Sequence, residues 1–406
     1  MPEVLDPTAS AVTTHDFDIQ VETIRARRTL RTEEMTLNMG PQHPSTHGVF
    51  RVELVLDGEL VVDAIPHLGY LHRCFEKHAE AMTYPQIIPY CDRMDYLGAM
   101  NNDWGFALAV EELMGVKVSE KVEYIRVIVG ELNRIASHLV GGIGTYGLDV
   151  GAFTPFLYCF RDREIILNIY ERLCGARLLY NYIWVGGLSH DVYPTFLDDV
   201  EAFCGQFRAT IQELNELLTG NKIFTTRTKG VGVLPLDVAL NYGISGPMIR
   251  ASGMKWDIRR DDNYSIYERF DFEIPIGNDN DGAVVGDCYN RYWVRMREME
   301  ESLKIVEQAV RDCRKTPSLL HGDVQKDVPK RIKASPGEIY SRTETSKGEL
   351  GFYIISDNGT NPYRVKVRPP CFVNLSILPD TTRGYYVADM IAIMGSIDFV
   401  MGEVDR

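Results

Sequence analysis

No stretch of this 406-residue chain supplies the 18 or more apolar residues that a membrane-crossing helix needs. The nearest candidate, the tail "YYVADMIAIMGSIDFVMGEVDR" from Tyr385, is broken by Asp389 and Asp398. A basic surplus is also missing: 43 lysines and arginines stand against 57 acidic residues, a net charge of −14. Nucleic acid needs a basic face to neutralise its phosphates, so that class of partner is excluded. Eight cysteines are scattered without a CxxC pair or regular spacing, which removes the usual signatures of disulfide scaffolds and thiolate clusters and points to reduced, mostly buried thiols. The opening "MPEVLDPTASAVTTHDFDIQ" has neither the basic start nor the apolar core of an export signal, so a cytoplasmic location is expected. There is no internal repeat. The basic run Arg25 to Arg31 reads as a docking arm or solvated linker.

What is present is an ordinary globular composition, 45% hydrophobic and 25% charged, with mean hydropathy −0.15. The length fits two or three structural units. The pattern predicts a mainly α fold with small β elements (α+β): a polar leader over 1–34, a loop and β hairpin over 35–66, a helical core with long loops over 67–329, and a C-terminal hairpin and tail over 330–406. The first hairpin is expected around Asp57-Gly58 as a type I′ turn, the second around Asn358-Gly359. One helix should close on Gly115. The next should start with Ser119 as its cap, carry Glu120 and Glu123 in its first turn, and stop at Gly141 and Gly142. A long third helix is expected from a Thr154 cap with Pro155 at the first position, a fourth over about 193–219, and a fifth over about 291–312 whose "RMREMEESLK" reads as a solvated face. Residues 230–286 read as loops with short helical pieces.

The run "LNMGPQHPSTHGVFRVEL" is unusual because Pro41 and Pro44 stiffen a turn that carries His43 and His47, and Gly48 frees the backbone after them. Three readings are open for these histidines: a metal pair four residues apart, which would need a helix the prolines oppose; a structural turn; or side chains facing a pocket. His67, His72, His78 and His138 do not stand at ligand spacing. A satisfied core or interface role fits them better.

Several motifs in register, "GPQHPSTHG", "GYLHRCFEK", "RMDYLGAMNNDWGFALAVE", "LDVGAFTPF", "GARLLYNYIWVGG" and "SIDFVMGEVDR", span nearly the whole chain after the leader. Together they resemble the quinone-site subunit of respiratory complex I, the D component of the NADH:quinone oxidoreductase, a family similar in fold to the large subunit of [NiFe] hydrogenases. That likeness implies a hydrogenase-like helical bundle flanked by β hairpins. Hydrogenases bind metal through R-x-C-G-x-C and D-P-C-x-x-C-x-x-H. Here Arg93 matches the first arginine, Asp95 and Gly98 stand at the first thiolate pair, Val400 and Glu403 at the second, and Arg406 at the histidine. Nickel and iron in such sites take soft thiolates, so no metal is expected.

The resemblance implies that Tyr96 and His47 hydrogen-bond the two ends of a quinone headgroup and that Asp149 partners His47. It places His43, Met94 and Val400 along the pocket. Arg73 and Arg93 match arginines facing a [4Fe-4S] cluster in the neighbouring small subunit, the B component of the complex; ordinary salt bridges are their alternative reading. No cofactor is expected in this chain. The implied partners are that cluster-bearing B component, the C component and the membrane component H, the last at the quinone entrance, on the cytoplasmic side of a bacterial inner membrane. Two competing readings are a hydrogenase-type large subunit and a non-catalytic scaffold of a redox complex. The chain departs from the pattern at Cys74, where many relatives have glycine and where a buried small side chain is expected, and at Leu179, where many have a titratable histidine. Trp184 and Val185 likewise replace a common Arg-Pro.

Overall fold

The computed structural model describes residues 33–406 apart from 327 and 330. The Arg25–Arg31 run and the leader before residue 33 lie outside these. Two three-stranded antiparallel meanders bracket a helical body. The first comprises β1 (Glu34–Met39), β2 (Arg51–Asp57) and β3 (Leu60–His67). β1 forms where a loop was expected. It pairs Glu34 with Asp57 through to Met39 with Val52, yet buries only Met39, so its apolar alternation carried little signal. The β2–β3 loop is Gly58-Glu59, and only Gly58 takes a positive φ (67°). A type I′ turn needs two such residues, so the expected turn type is not the one formed.

The body is built from α1 (Phe75–Ala81), α2 (Tyr84–Cys91), α3 (Ala99–Met114), α4 (Glu120–Ser137), α5 (Phe153–Cys174), α6 (Phe196–Leu214) and α7 (Cys288–Lys315). α3 ends on Gly115 at φ 66°, the left-handed position that glycine fills without a Cβ penalty. Ser119 Oγ accepts from Val122 N at 3.4 Å and caps α4. Gly141 and Gly142 do not stop that helix, which continues as a π-helix over His138–Thr145 and a single turn Tyr146–Asp149. Their role is close approach. A Cβ on Gly141 would lie 2.0 Å from Asp398 Oδ1, and one on Gly142 would lie 2.3 Å from Arg295 Cδ.

α5 starts one residue before the expected cap. Ala152 is its N-cap, with no side-chain capping bond, and it closes on Gly175 at φ 76°. α6 continues as a π-turn through Thr219 to Gly220. α7 meets the expectation of a solvated charged face only in part: Arg297, Glu300 and Lys304 line an outer face, whereas Arg291, Arg295, Glu298 and Glu301 are buried, because the opposite face of α7 packs into the body. A short antiparallel pair, β4 (Ile183–Trp184) and β5 (Gly187–Leu188), lies between α5 and α6, and short helices and loops fill residues 222–287.

The second meander is β6 (Gly337–Glu344), β7 (Glu349–Ser356) and β8 (Arg364–Arg368). Asn358-Gly359 lies in the β7–β8 connection as expected, within a longer loop, and β6 adds a strand the pattern did not announce. α8 (Val387–Ile397) and α9 (Met401–Asp405) then carry the tail back into the interior, where Phe399 to Val404 are buried. Among the described residues no helix is long and apolar enough to cross a membrane.

Candidate functional site

His47 sits at the end of a single 3-10 turn, Pro44–Thr46. His43 holds that turn locally: its Nδ1 accepts from Ser45 N at 3.2 Å, and its carbonyl accepts from Thr46 Oγ1 at 2.8 Å. The ring is therefore occupied as a cap and exposed. His47 itself takes a left-handed conformation (φ 49°, ψ 42°), followed by Gly48 at φ 116°. This turns the imidazole inward, where Nε2 meets Asp149 Oδ2 at 2.7 Å and the ring stacks on Phe399 at 5.3 Å. Asp149 ends the helical turn that follows the π-helix, and Gly395 of α8 leaves it room: a Cβ there would lie 2.6 Å from Asp149 Oδ2. Nδ1 of His47 has no protein partner among the described residues.

Tyr96 lies in the tight segment between α2 and α3. It is 37% exposed, and its hydroxyl has no hydrogen-bond partner among the described residues. Burial of part of the ring, and then the Asp95 carboxylate behind it, push the phenol above its usual pKa, with Lys347 pulling the other way. Tyr96 is thus held as a neutral donor.

The tail segment 398–406 links these pieces. Phe399 touches His47. Val400 is buried and donates its N–H to Cys371 Sγ at 3.3 Å. A Cβ on Gly402 would lie 2.6 Å from Met94 O and 3.0 Å from Arg93 O, so α9 packs directly on the backbone that carries Tyr96. Met94, Arg73, Arg93 and Arg406 line one hollow with Phe75 and Tyr90. Arg73 donates to Arg93 O at 2.6 Å and Arg93 to Pro89 O at 2.5 Å. Among the described residues neither forms an ion pair, so the ordinary salt-bridge reading does not hold for them.

Cys74 is exposed, not buried. It takes φ 55° ahead of α1, a conformation that glycine adopts freely. Leu179 is also left-handed (φ 61°), in a loop tied down by Asn181 N to Asp92 Oδ2 at 2.9 Å. Of the other histidines singled out, His78 has only the Tyr90 ring beside it, at 6.2 Å, while His67, His72 and His138 have polar partners. His67 meets Glu53 at 3.2 Å, His72 meets Asp405 O at 2.7 Å, and the buried His138 meets Glu298 at 2.9 Å, with burial the main influence lowering its pKa.

Sequence reasoning passed over Lys347, Asp398 and Cys371, and used Glu403 only as a register mark. Lys347 Nζ, 1% exposed at the side chain, donates to Asp398 Oδ1 at 2.5 Å. The available signal was charge in an otherwise apolar tail. Among the described residues no three or more His, Cys, Asp or Glu side chains are grouped to hold a metal.

A buried ionic interior, an imidazole–carboxylate pair and a phenol thus lie along the path of the returning C-terminus. The family described as the respiratory-chain NADH dehydrogenase 49 kDa subunit matches residues 149–406. Curated relatives named as the D component of NADH-quinone oxidoreductase are similar over almost the full length. The protein from Chlorobium luteolum is 57% identical over 93% of this chain and 94% of its own, and that from Chlorobaculum tepidum is 54% identical over 94% and 95%. The chain belongs to this family and is a subunit of an NADH-quinone oxidoreductase complex.

Proposed function

We propose that this subunit forms the quinone-reduction site of its complex, with Tyr96 and His47 at opposite ends of the headgroup and Asp149 holding His47. The observation that carries this reading is the 2.7 Å bond from His47 Nε2 to Asp149, which commits one ring nitrogen and leaves Nδ1 for a ligand. Reduction of a quinone to quinol takes two electrons and two protons, and negative charge gathers on the carbonyl oxygens before protons arrive. Donors aimed at those oxygens stabilise that charge. Tyrosine, with an ordinary pKa of about 10, donates while neutral, and histidine, near about 6.5, changes protonation under a small push. The Asp149 carboxylate fixes the ring, and in this reading His47 is both donor and proton source.

Met94 and Val400 form the floor between the two donors, with His43 at the rim. Arg73 and Arg93, whose charges are answered only by backbone carbonyls, face the [4Fe-4S] cluster of the small B component, where positive charge makes reduction easier. Electrons arrive from that neighbour, and no cofactor is held by this chain. The C component and the membrane component H complete its surroundings, the latter at the quinone entrance. The protein sits peripherally on the cytoplasmic side of a bacterial inner membrane.

Tyr96→Phe in the assembled complex tests the assignment. Quinone reduction should fall about 100-fold, within the range typical for loss of one acid–base group, while assembly and NADH oxidation by an artificial acceptor stay intact. Normal quinone turnover in the Phe variant removes the tyrosine from the mechanism.

A further inference from the structure

Behind Tyr96 lies a set of buried groups that the reading above leaves unused. Asp95, Asp398 and Glu403 are 0%, 3% and 0% exposed, and the buried cations packed with them are Lys347 and Arg295. Both cations address one carboxylate: Lys347 Nζ lies 2.5 Å from Asp398 Oδ1, and Arg295 Nε lies 3.5 Å from Asp398 Oδ2. Asp95 accepts the Leu97 N–H at 3.1 Å on Oδ1, and Glu403 accepts the Cys371 N–H at 3.1 Å on Oε2. Their second oxygens, Asp95 Oδ2 and Glu403 Oε1, are buried with no hydrogen-bond partner. Asp398 therefore takes both close cations, and among the described residues Asp95 and Glu403 are buried without an ion pair. An unpaired buried carboxylate is costly enough that it takes up a proton instead.

We propose that Asp95 and Glu403 share one proton at neutral pH and act as the reserve that reprotonates Tyr96 after it donates to the reduced substrate. This rests on the quinone-site reading. α9, through Gly402, packs on the backbone of residues 93 and 94, one step before Asp95, and the Asp95 charge is felt at Glu403. The charges felt at the pair come from every side. Burial, and then Asp95, raise the Glu403 pKa to about 8, opposed by hydrogen bonds from the Cys371 thiol and N–H and, less, by Lys347. Burial also raises that of Asp95, with Lys347 opposing and Asp398 reinforcing. Cys371, on the short helix Pro370–Leu375, keeps its proton because burial and the Glu403 charge push its thiol up, so it does not compete. Arg73 is the further cation felt at Tyr96.

The balance is complete. Quinone accepts two electrons from the iron–sulfur neighbour, one proton from Tyr96, refilled from the pair, and one from His47, giving quinol. With its proton gone the pair carries two negative charges, both felt by Lys347, until solvent restores the proton.

Infrared difference spectra of the assembled complex at rest, wild type minus Glu403→Gln, read the shared proton without turnover. The expected result is a protonated-carboxyl C=O band at neutral pH that disappears as pH rises through about 8. A difference spectrum showing only ionised carboxylate at neutral pH overturns the proposal. In Asp95→Asn, which keeps Glu403 but removes its charged neighbour, that transition should move to lower pH; an unmoved transition overturns the pairing even if the Gln variant fails to assemble. In turnover, the alkaline fall in wild-type quinone reduction, up to about tenfold per pH unit for one required proton, should be absent in Glu403→Gln, an effect that a purely structural role would not produce. A missing band alongside Tyr96-dependent turnover rejects the reserve alone, whereas a band alongside normal Tyr96→Phe turnover rejects Tyr96 as the donor and the reserve with it.

Discussion

Around Glu131 and behind Tyr96 the protein buries carboxyls in opposite ways. Glu131 of α4 accepts from Arg134 at 3.2 Å, Arg259 at 3.1 Å, Tyr267 at 2.6 Å and Ser302 at 2.7 Å. Burial alone would raise its pKa, yet Arg134 and Arg259 hold it down to about 2. Arg250 likewise joins Glu298 at 2.7 Å to Glu344 at 2.9 Å, linking α7, β6 and the 250–259 segment, although at Glu344 burial outweighs the arginine and raises the pKa to about 7. The Asp95–Glu403 region has the same burial without the same compensation. A satisfied buried network rigidifies, whereas an under-compensated one keeps a proton available. The lesson is that burial says little about a carboxyl's role until its counter-charges are counted.

The largest effect should follow from breaking the satisfied side. Glu131→Gln leaves Arg134 and Arg259 without their shared anion and should weaken the opening stability of α4 by about 3–5 kcal/mol, read by hydrogen exchange in the assembled complex. Little change there would erase the distinction between the two regions. Gly141→Ala places a Cβ 2.0 Å from Asp398 Oδ1 and 2.9 Å from Lys347 Nζ; it should cost about 2–4 kcal/mol, as for other substitutions that disrupt a buried pair, and should reduce quinone turnover with it.

The two regions should also respond to pH with opposite signs. The native pKa of Glu131 lies below its ordinary 4.5, so its stabilisation is present above that value and is lost as pH falls toward about 2. That of Glu403 lies above 4.5, so its contribution is fully present below that value and is lost as pH rises through about 8. Thermal unfolding of the complex against pH, wild type beside each Gln variant, separates the two slopes; slopes of one sign would refute the contrast. The smallest effect belongs to Glu403→Gln at neutral pH, where the pair's proton already rests mostly on this side chain and the loss should be less than about 1 kcal/mol, far below the Glu131 value.

Much of the fold was legible because its signals are local. Ser119 caps the helix it precedes, Gly115 ends the one before it, and Gly220 closes the fourth. The errors came where a distant neighbour changed what a residue type means. Gly141 and Gly142 look like helix stops, but they are spaces for Asp398 and Arg295. "RMREMEESLK" has the charge density of a surface, and Arg297, Glu300 and Lys304 do form one, but Arg295 and Glu298 turn inward because Asp398, His138 and Arg250 meet them. Met35 and Leu37 alternate on an edge strand that leaves them exposed, so β1 gave no burial pattern to recognise. The motifs carrying family membership were readable in order along the chain, and they also named His47 and Asp149 as a pair.

What the amino-acid order determined by itself was the set of helices, the stiff histidine turn and the register of its motifs, since each depends on dihedral preferences and spacings within a few residues. Only the tertiary structure decided that residues 102 positions apart would meet as His47 and Asp149, and that the tail would bring Asp398 and Glu403 behind Tyr96. Counter-charge and solvent exclusion are properties of a filled volume, and no linear spacing encodes how many cations a buried carboxyl will find.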